Sequence, residues 1–192
     1  MDDMNADFWN NLYVEQTTAW DLGAPSPPLK SFIDTLTDKT IHILIPGAGR
    51  AYEAKYLMEQ GFHFVTIIDI APTLVESLKA KFVSSPLHIV LGDFFDHVGQ
   101  YDLILEQTFF CAIHPDLRKA YVNKMMELLK PGGRLVGVLF DRRFDGEGPP
   151  FGGSSAEYES LFKDHFQSMS IAPCYNSYAA RAGFEVFIKM QK

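Results

Sequence analysis

IHILIPGAGRAYE, residues Ile41 to Glu53, reads as a short apolar strand that breaks into a Pro-Gly-x-Gly turn and continues as a helix with a carboxylate in its first turn. Gly47 and Gly49 let the backbone turn tightly and approach a ligand where a side chain would collide. The helix behind them aims unpaired N–H groups at the same place. Asp69 lies twenty residues past Gly49, at the end of a second apolar run, VTIID. A carboxylate there can hold ribose hydroxyls, so one nucleotide-like cofactor can bridge turn and acid. The other use for Asp69 is as a cap on the helix that starts beside Pro72.

Apolar runs alternate with amphipathic segments on both sides of this stretch, the pattern of an α/β fold with a mostly parallel sheet and helices on both faces. Strands are expected at Ile41–Ile45, Phe64–Asp69, Leu87–Gly92, Leu103–Glu106 and Arg134–Phe140, and helices at Tyr52–Gln60, Thr73–Lys81, Leu117–Leu129 and Ala156–Phe162. Lys130-Pro131-Gly132-Gly133 should end the longest helix, because proline cannot continue it and paired glycines free the backbone to turn. After Asp141 comes a Pro/Gly-rich loop, DGEGPPFGGSS, then a short helix and two strand-like runs, Ser168–Cys174 and Phe184–Met190, spaced to pair antiparallel at the sheet edge. The first forty residues resemble neither strand nor regular helix; rich in aromatics and prolines, residues 1–35 are expected to form a cap over the site. All of 1–192 reads as one domain, without repeats or low-complexity tracts.

A 192-residue chain can bury roughly 70% of the surface its unfolded form exposes, so no disulfide or metal staple is required. With net charge -7 and no Lys/Arg run, nothing draws it to nucleic acid or an anionic membrane, and small-molecule chemistry is favoured. The acidic start, MDDMNADFWN, lacks a signal-type apolar core, and no run of about eighteen apolar residues occurs, which predicts a cytoplasmic protein. Cys111 and Cys174 have no metal-ligand spacing and read as reduced, buried thiols.

The position where dehydrogenases place their third glycine is Tyr52, which weakens a dinucleotide reading. Glu53 sharpens the alternative. Its charge would repel a pyrophosphate but suits the cationic amino group of a methionine moiety, so charge sign favours S-adenosylmethionine (SAM) over a nicotinamide cofactor. Asp93, in LGDFFD, closes the next strand; it can accept from an adenine amino group while Phe94 supplies an apolar edge, or it can serve as an ordinary turn residue. The segment after the fourth strand, EQTFFCAIHPDLR, is where an acceptor should meet the methyl group, and it lacks the Asn/Asp-Pro-Pro-Tyr/Phe form suited to planar amines. Phe109, Phe110 and Phe151 are candidates to wall a dry acceptor pocket, and Arg118 to pair with an anionic acceptor; core packing and an exposed helix arginine are the competing uses. His114 reads as a base candidate or a loop residue. No triad, dyad or metal cluster is apparent, so neither a catalytic base nor a metal is expected.

With these residues in place the chain resembles the thiopurine methyltransferase family, especially its halide and thiol methyltransferase branch. The matching elements are Trp9 with Tyr13, Thr18 to Gly23, Ile45 to Arg50, Asp69-Ile70, Gly92 to Phe95, Thr108 to Ile113, Pro115 to Arg118, Leu129 to Gly133 and Gly148 to Phe151. The resemblance implies a Rossmann-like class I sheet of seven strands with a C-terminal antiparallel strand, SAM as methyl donor with S-adenosylhomocysteine as product, and transfer to thiols, thiopurine-like sulfur, thiocyanate or halides. It carries a cofactor role to Trp9, Trp20, Gly47, Gly49, Glu53, Asp69, Ile70, Asp93, Phe94 and Glu106, and an acceptor-facing role to Arg118. The chain departs from the family at Glu106, where Asp is usual, and at Gln107, where an aromatic or Arg is common; Phe151 matches the thiopurine branch rather than the halide one. A small-molecule acceptor and a monomer or weak homodimer are expected. A nicotinamide-dependent reductase and a non-catalytic SAM sensor are the alternatives.

Overall fold

The computed structural model describes residues 4–192. Seven strands form one sheet in the order β3-β2-β1-β4-β5-β7-β6: β1 Ile43–Pro46, β2 Val65–Asp69, β3 His88–Leu91, β4 Tyr101–Gln107, β5 Leu129–Phe140, β6 Ser168–Pro173 and β7 Glu185–Gln191. β1 to β5 run parallel, and β7 lies antiparallel to both β5 and β6. The strand order reverses between β2 and β4 around β1, which opens a crevice beyond the carboxyl ends of the strands.

Alternation along the strands builds two cores. Ile43, Ile45, Val65, Ile67, Leu103 and Leu105 face a layer that includes Leu29, Ile33, Leu57 and Leu74. Those last four come from α2 Pro27–Ile33, α3 Tyr52–Glu59 and α4 Pro72–Lys81. Leu44, Ile68, Ile104, Leu135 and Ile188 face the opposite layer, Tyr121, Met125, Tyr158 and Phe162 of α5 Arg118–Leu128 and α6 Ser155–Phe162. Central strands are therefore apolar on both sides, as a sheet covered by helices on each face requires.

Two expectations need correction. The N-terminal segment is largely helical: α1 Ala6–Val14, capped by Asn5 Oδ1 accepting from Phe8 N at 3.0 Å, and α2, which starts on Pro27 and Pro28. Proline is tolerated in a first helical turn because its missing N–H would have had no partner there. Of the 1–35 cap, residues 1–3 lie outside the described residues. The Lys130–Gly133 stretch does not separate α5 from β5; Leu129 is already extended and pairs with Tyr101, and pairing resumes at Arg134 with Leu103 after a bulge. The glycines thus serve a bulge in a longer strand, with Gly132 at φ +74.

Candidate functional site

The turn between β1 and α3 sits in the crevice. Gly47 (φ +55) and Gly49 (φ +51) adopt left-handed backbone, and a β-carbon on Gly47 would overlap the Phe109 ring. Asp69, at the tip of β2, accepts from Gly49 N at 3.3 Å through Oδ2 and from Ala71 N at 3.1 Å through Oδ1. Burial pushes its carboxyl up to about 6 against the pull of these N–H donors. Turn and acid are thus brought together as the spacing predicts, while the helix-cap use of Asp69 is not realised: its carboxylate makes a local turn with Ala71 N, and no side chain caps α4 from Ala71.

The cap lies over this turn. Trp20 stands edge-on to Trp9 and Tyr13, with ring centres 5.6 and 5.9 Å apart, and the Tyr13 hydroxyl is 3.5 Å from where a Gly49 β-carbon would stand. Burial and the nearby Asp69 charge push the Tyr13 phenol well up, so it stays protonated. Asn10 Oδ1 accepts from Thr73 N at 2.8 Å, and Asp21 pairs with Arg50 of the turn. Glu53 is part of the same attachment: its buried Oε1 accepts from Ser26 N at 2.8 Å, and burial raises its carboxyl. The acid assigned to a methionine amino group therefore holds the cap to the first turn of α3.

Asp93 is exposed and caps the 3-10 turn Phe94–Asp96 through Phe95 N at 2.8 Å, so the turn-residue use is realised while one oxygen stays free at the tip of β3. Phe94 points into the core, edge-on to Phe95 and Phe109, and Ile70 is half-buried beside Asp69. Three further assignments are corrected. Glu106 has no exposed surface: Oε1 takes Phe109 N and Phe110 N at 2.8 and 2.9 Å, and Oε2 takes the Tyr121 hydroxyl at 2.8 Å. Its acceptor capacity serves the loop instead of the crevice, and burial lifts its carboxyl to about 7. Phe110 is a core ring packed edge-on against Tyr121 and Tyr158. Arg118 is buried over that ring, paired with Glu157 and donating to Gly152 O at 2.7 Å, so it ties α5 to α6 and the preceding loop. Two of the acceptor candidates do face the post-β4 loop: Phe109 lies on the glycine turn, and Phe151 donates its N–H to Cys111 O at 2.7 Å while standing edge-on to His114.

The residues present fit a SAM-like ligand on two counts: left-handed glycines facing a half-buried carboxylate, and Gln107 Oε1, buried at the tip of β4 without a hydrogen-bond partner among the described residues. Thr108, next in the chain, has φ +58, an unusual conformation for a β-branched residue and one that clusters at functional sites. Two open hollows, about 390 and 660 Å³, are lined by Asp141–Phe144 with Gly152–Ser154 and by Pro115, Arg118 and neighbours of α5 and α6; neither is bordered by Gly47, Gly49 or Asp69. The first is bordered by Gly152, directly after the Gly-Pro-Pro-Phe segment. Sequence reasoning missed Arg50, Asn10 and Arg181, whose partners are tens of residues away; an Arg directly after the glycine turn was the one local signal available.

This is the fold of the class I SAM-dependent methyltransferases. A 1,6-didemethyltoxoflavin N1-methyltransferase from Burkholderia thailandensis, solved with S-adenosylhomocysteine and 1,6-didemethyltoxoflavin, superposes with a TM-score of 0.75 over 97% of this chain and 86% of its own, at 19% identity. The chain belongs to the thiopurine S-methyltransferase family, whose model matches residues 4–177. A protein of Arabidopsis thaliana named "Probable thiol methyltransferase 2" is 32% identical over 191 residues, covering 96% of this chain and 84% of that protein. Thiocyanate methyltransferase 1 of Brassica oleracea is 30% identical with the same coverage.

Proposed function

We propose that this chain transfers the methyl group of SAM to a small soft nucleophile, a thiol, thiopurine-like sulfur, thiocyanate or halide. The observation that carries this reading is family membership over residues 4–177, joined to thiol and thiocyanate methyltransferase relatives that span 96% of the chain. When bound, SAM supplies an electrophilic methyl for in-line displacement by the acceptor.

The chain's own residues bind, align and dry the reactants. Asp69 takes the ribose hydroxyls, the free oxygen of Asp93 the adenine amino group, and Gln107 Oε1 the methionine end. Trp9, Tyr13, Trp20 and Phe109 close rings over the turn, giving π faces for a cationic ligand and excluding water. Phe151 and the loop from Thr108 to His114 border the acceptor. An anion attacking a cation loses charge in the transition state, so a dry pocket speeds the reaction, and alignment can lower the barrier by about 7–11 kcal/mol. An acceptor that attacks as an anion has no proton to give up, which suits a site without a general base. The protein works in the cytoplasm on small molecules, as a monomer or weak homodimer, away from membrane and nucleic acid.

The test is mass spectrometry of products formed from SAM with iodide, hydrosulfide, thiocyanate, thiophenol and a thiopurine. Methylated products from at least one soft acceptor are expected. No product from any of them, with SAM left intact, overturns the reading.

A further inference from the structure

Arg181 belongs to none of the motifs above. It lies in the connection between β6 and β7, a part of the chain the cofactor strands do not use. Its side chain is only 11% exposed. Nη2 donates to the Trp20 carbonyl at 3.0 Å, across 161 residues of sequence, and the guanidinium carbon sits 5.4 Å from the centre of the Phe140 ring. Nη1 stands 3.6 Å from the buried Glu185 Oε1, beyond hydrogen-bond distance, and has no other partner among the described residues. One hydrogen bond therefore holds the guanidinium to the cap, with Glu185 balancing its charge.

Five residues earlier, Asn176 Nδ2 donates to Ser31 Oγ at 3.1 Å and to Pro27 O at 3.4 Å. The β6–β7 connection thus grips both ends of the Trp20–Pro27 stretch that joins α1 to α2. Glu53 holds the same stretch from the glycine-turn side through Ser26 N. Because the Trp20 ring is wedged against Trp9 and Tyr13, and Tyr13 stands on Gly49, the place of the Trp20 backbone sets how closely these rings lie on the turn.

We infer that Arg181 is a positioning residue for the cofactor: it latches the cap through the Trp20 carbonyl, with Glu185 steering the guanidinium. The C-terminal hairpin then governs how tightly the nucleoside is held, although it supplies no group to it. The inference rests on the reading that the cap closes over SAM. A charge-assisted hydrogen bond of this kind is worth a factor of about ten or more in an equilibrium constant.

The test pairs Arg181→Gln with Arg181→Lys, which keeps a charged donor. Calorimetric titration with S-adenosylhomocysteine should show at least about tenfold weaker binding in R181Q and recovery to within about threefold of wild type in R181K. Hydrogen exchange should quicken in R181Q at residues 14–26 and stay unchanged in the central strands, with the thermal midpoint moved by less than about 4 °C. Turnover at saturating SAM should be kept while KM for SAM rises. Unchanged nucleoside affinity and unchanged exchange at 14–26 in R181Q overturn the latch. So does an R181Q protein that melts early yet binds as wild type, because Arg181 would then serve folding alone. A wild-type protein that fails to bind S-adenosylhomocysteine sinks the proposed function instead; the exchange comparison, made without ligand, still decides the latch.

Discussion

Replacing Glu106 by Gln should abolish a fall in stability that the wild type shows as pH rises through neutrality. The carboxyl is fully buried in the folded protein and lifted from 4.5 to about 7, chiefly by desolvation. Between those two values the native state holds a proton that the unfolded chain has released, so wild-type stability is greatest at low pH and falls as pH rises towards 7. The full fall is about 2.5 pH units at 1.36 kcal/mol each, on the order of 3 kcal/mol. In E106Q the amide oxygen still accepts from Phe109 N and Phe110 N, and the amide nitrogen faces the Tyr121 hydroxyl as the proton of the neutral wild-type carboxyl does. The amide thus stands in for the protonated acid, and the two proteins should be close in stability at low pH. The variant should therefore match wild type to within about 1 kcal/mol at pH 4.5 and be more stable by about 3 kcal/mol at pH 8. Cys111 and Tyr121, the titratable groups beside Glu106, are both pushed up, Cys111 to about 12, and stay neutral throughout. Asp69, Glu53 and Glu185 titrate equally in both proteins and cancel in the difference. Urea unfolding at intervals from pH 4.5 to 8.5 reads the midpoints directly. Parallel pH profiles, or a variant that is the weaker protein at pH 8, refute the reasoning.

Asp69→Ala removes the acceptor assigned to the ribose and leaves Gly49 N and Ala71 N without their side-chain partner; SAM affinity by calorimetry should fall at least about tenfold, and unchanged affinity in a folded variant disposes of the role. Deleting residues 1–22 removes α1, which buries no residue fully, together with Trp20 and Asp21; turnover should disappear while a cooperative unfolding transition persists, and full activity in the truncated chain counts against the cap.

Much of the architecture was legible because the central strands are short, apolar and bounded by turn residues: β2 and α4 fall within a residue of their expected places, and the antiparallel finish is where two late apolar runs suggested. The glycine turn and Asp69 were legible for a local reason, since a left-handed turn demands glycine and the acid ends a strand that must neighbour it. α1 was not, because a nine-residue helix with no fully buried position carries little periodicity among its aromatics. Glu106, Arg118 and Phe110 illustrate a different limit. They sit at the end of β4 and in the segment that follows it, but strand alternation and the entry of α5 turn them inwards, and a buried charged residue reads the same in sequence as one facing a ligand. Arg181 was invisible because its decisive partner, the Trp20 carbonyl, is a backbone atom 161 residues away.

The buried carboxylate at Glu106 has a consequence for the site that a cofactor-binding role would have missed. By drawing in the N–H groups of both Phe109 and Phe110, it folds the chain back directly after β4, and Thr108 takes the strain with φ +58. On the other side of the crevice Ala51 carries φ +60 at the entry of α3, again without glycine's freedom. Such conformations cost on the order of 1–3 kcal/mol each and persist only where neighbours over-determine them. What the Thr108 turn achieves is to lay Phe109 flat against Gly47, where any β-carbon would collide with it. The missing side chain at Gly47 therefore serves two ends at once, the left-handed turn and the seat of the Phe109 ring. Gly137 in β5 completes the arrangement, since a β-carbon there would run into both the side chain and the backbone of Glu106. The hold on the loop after β4 thus runs from β5 through Glu106 to Phe109, which explains why an acid without access to the crevice stands beside its rim.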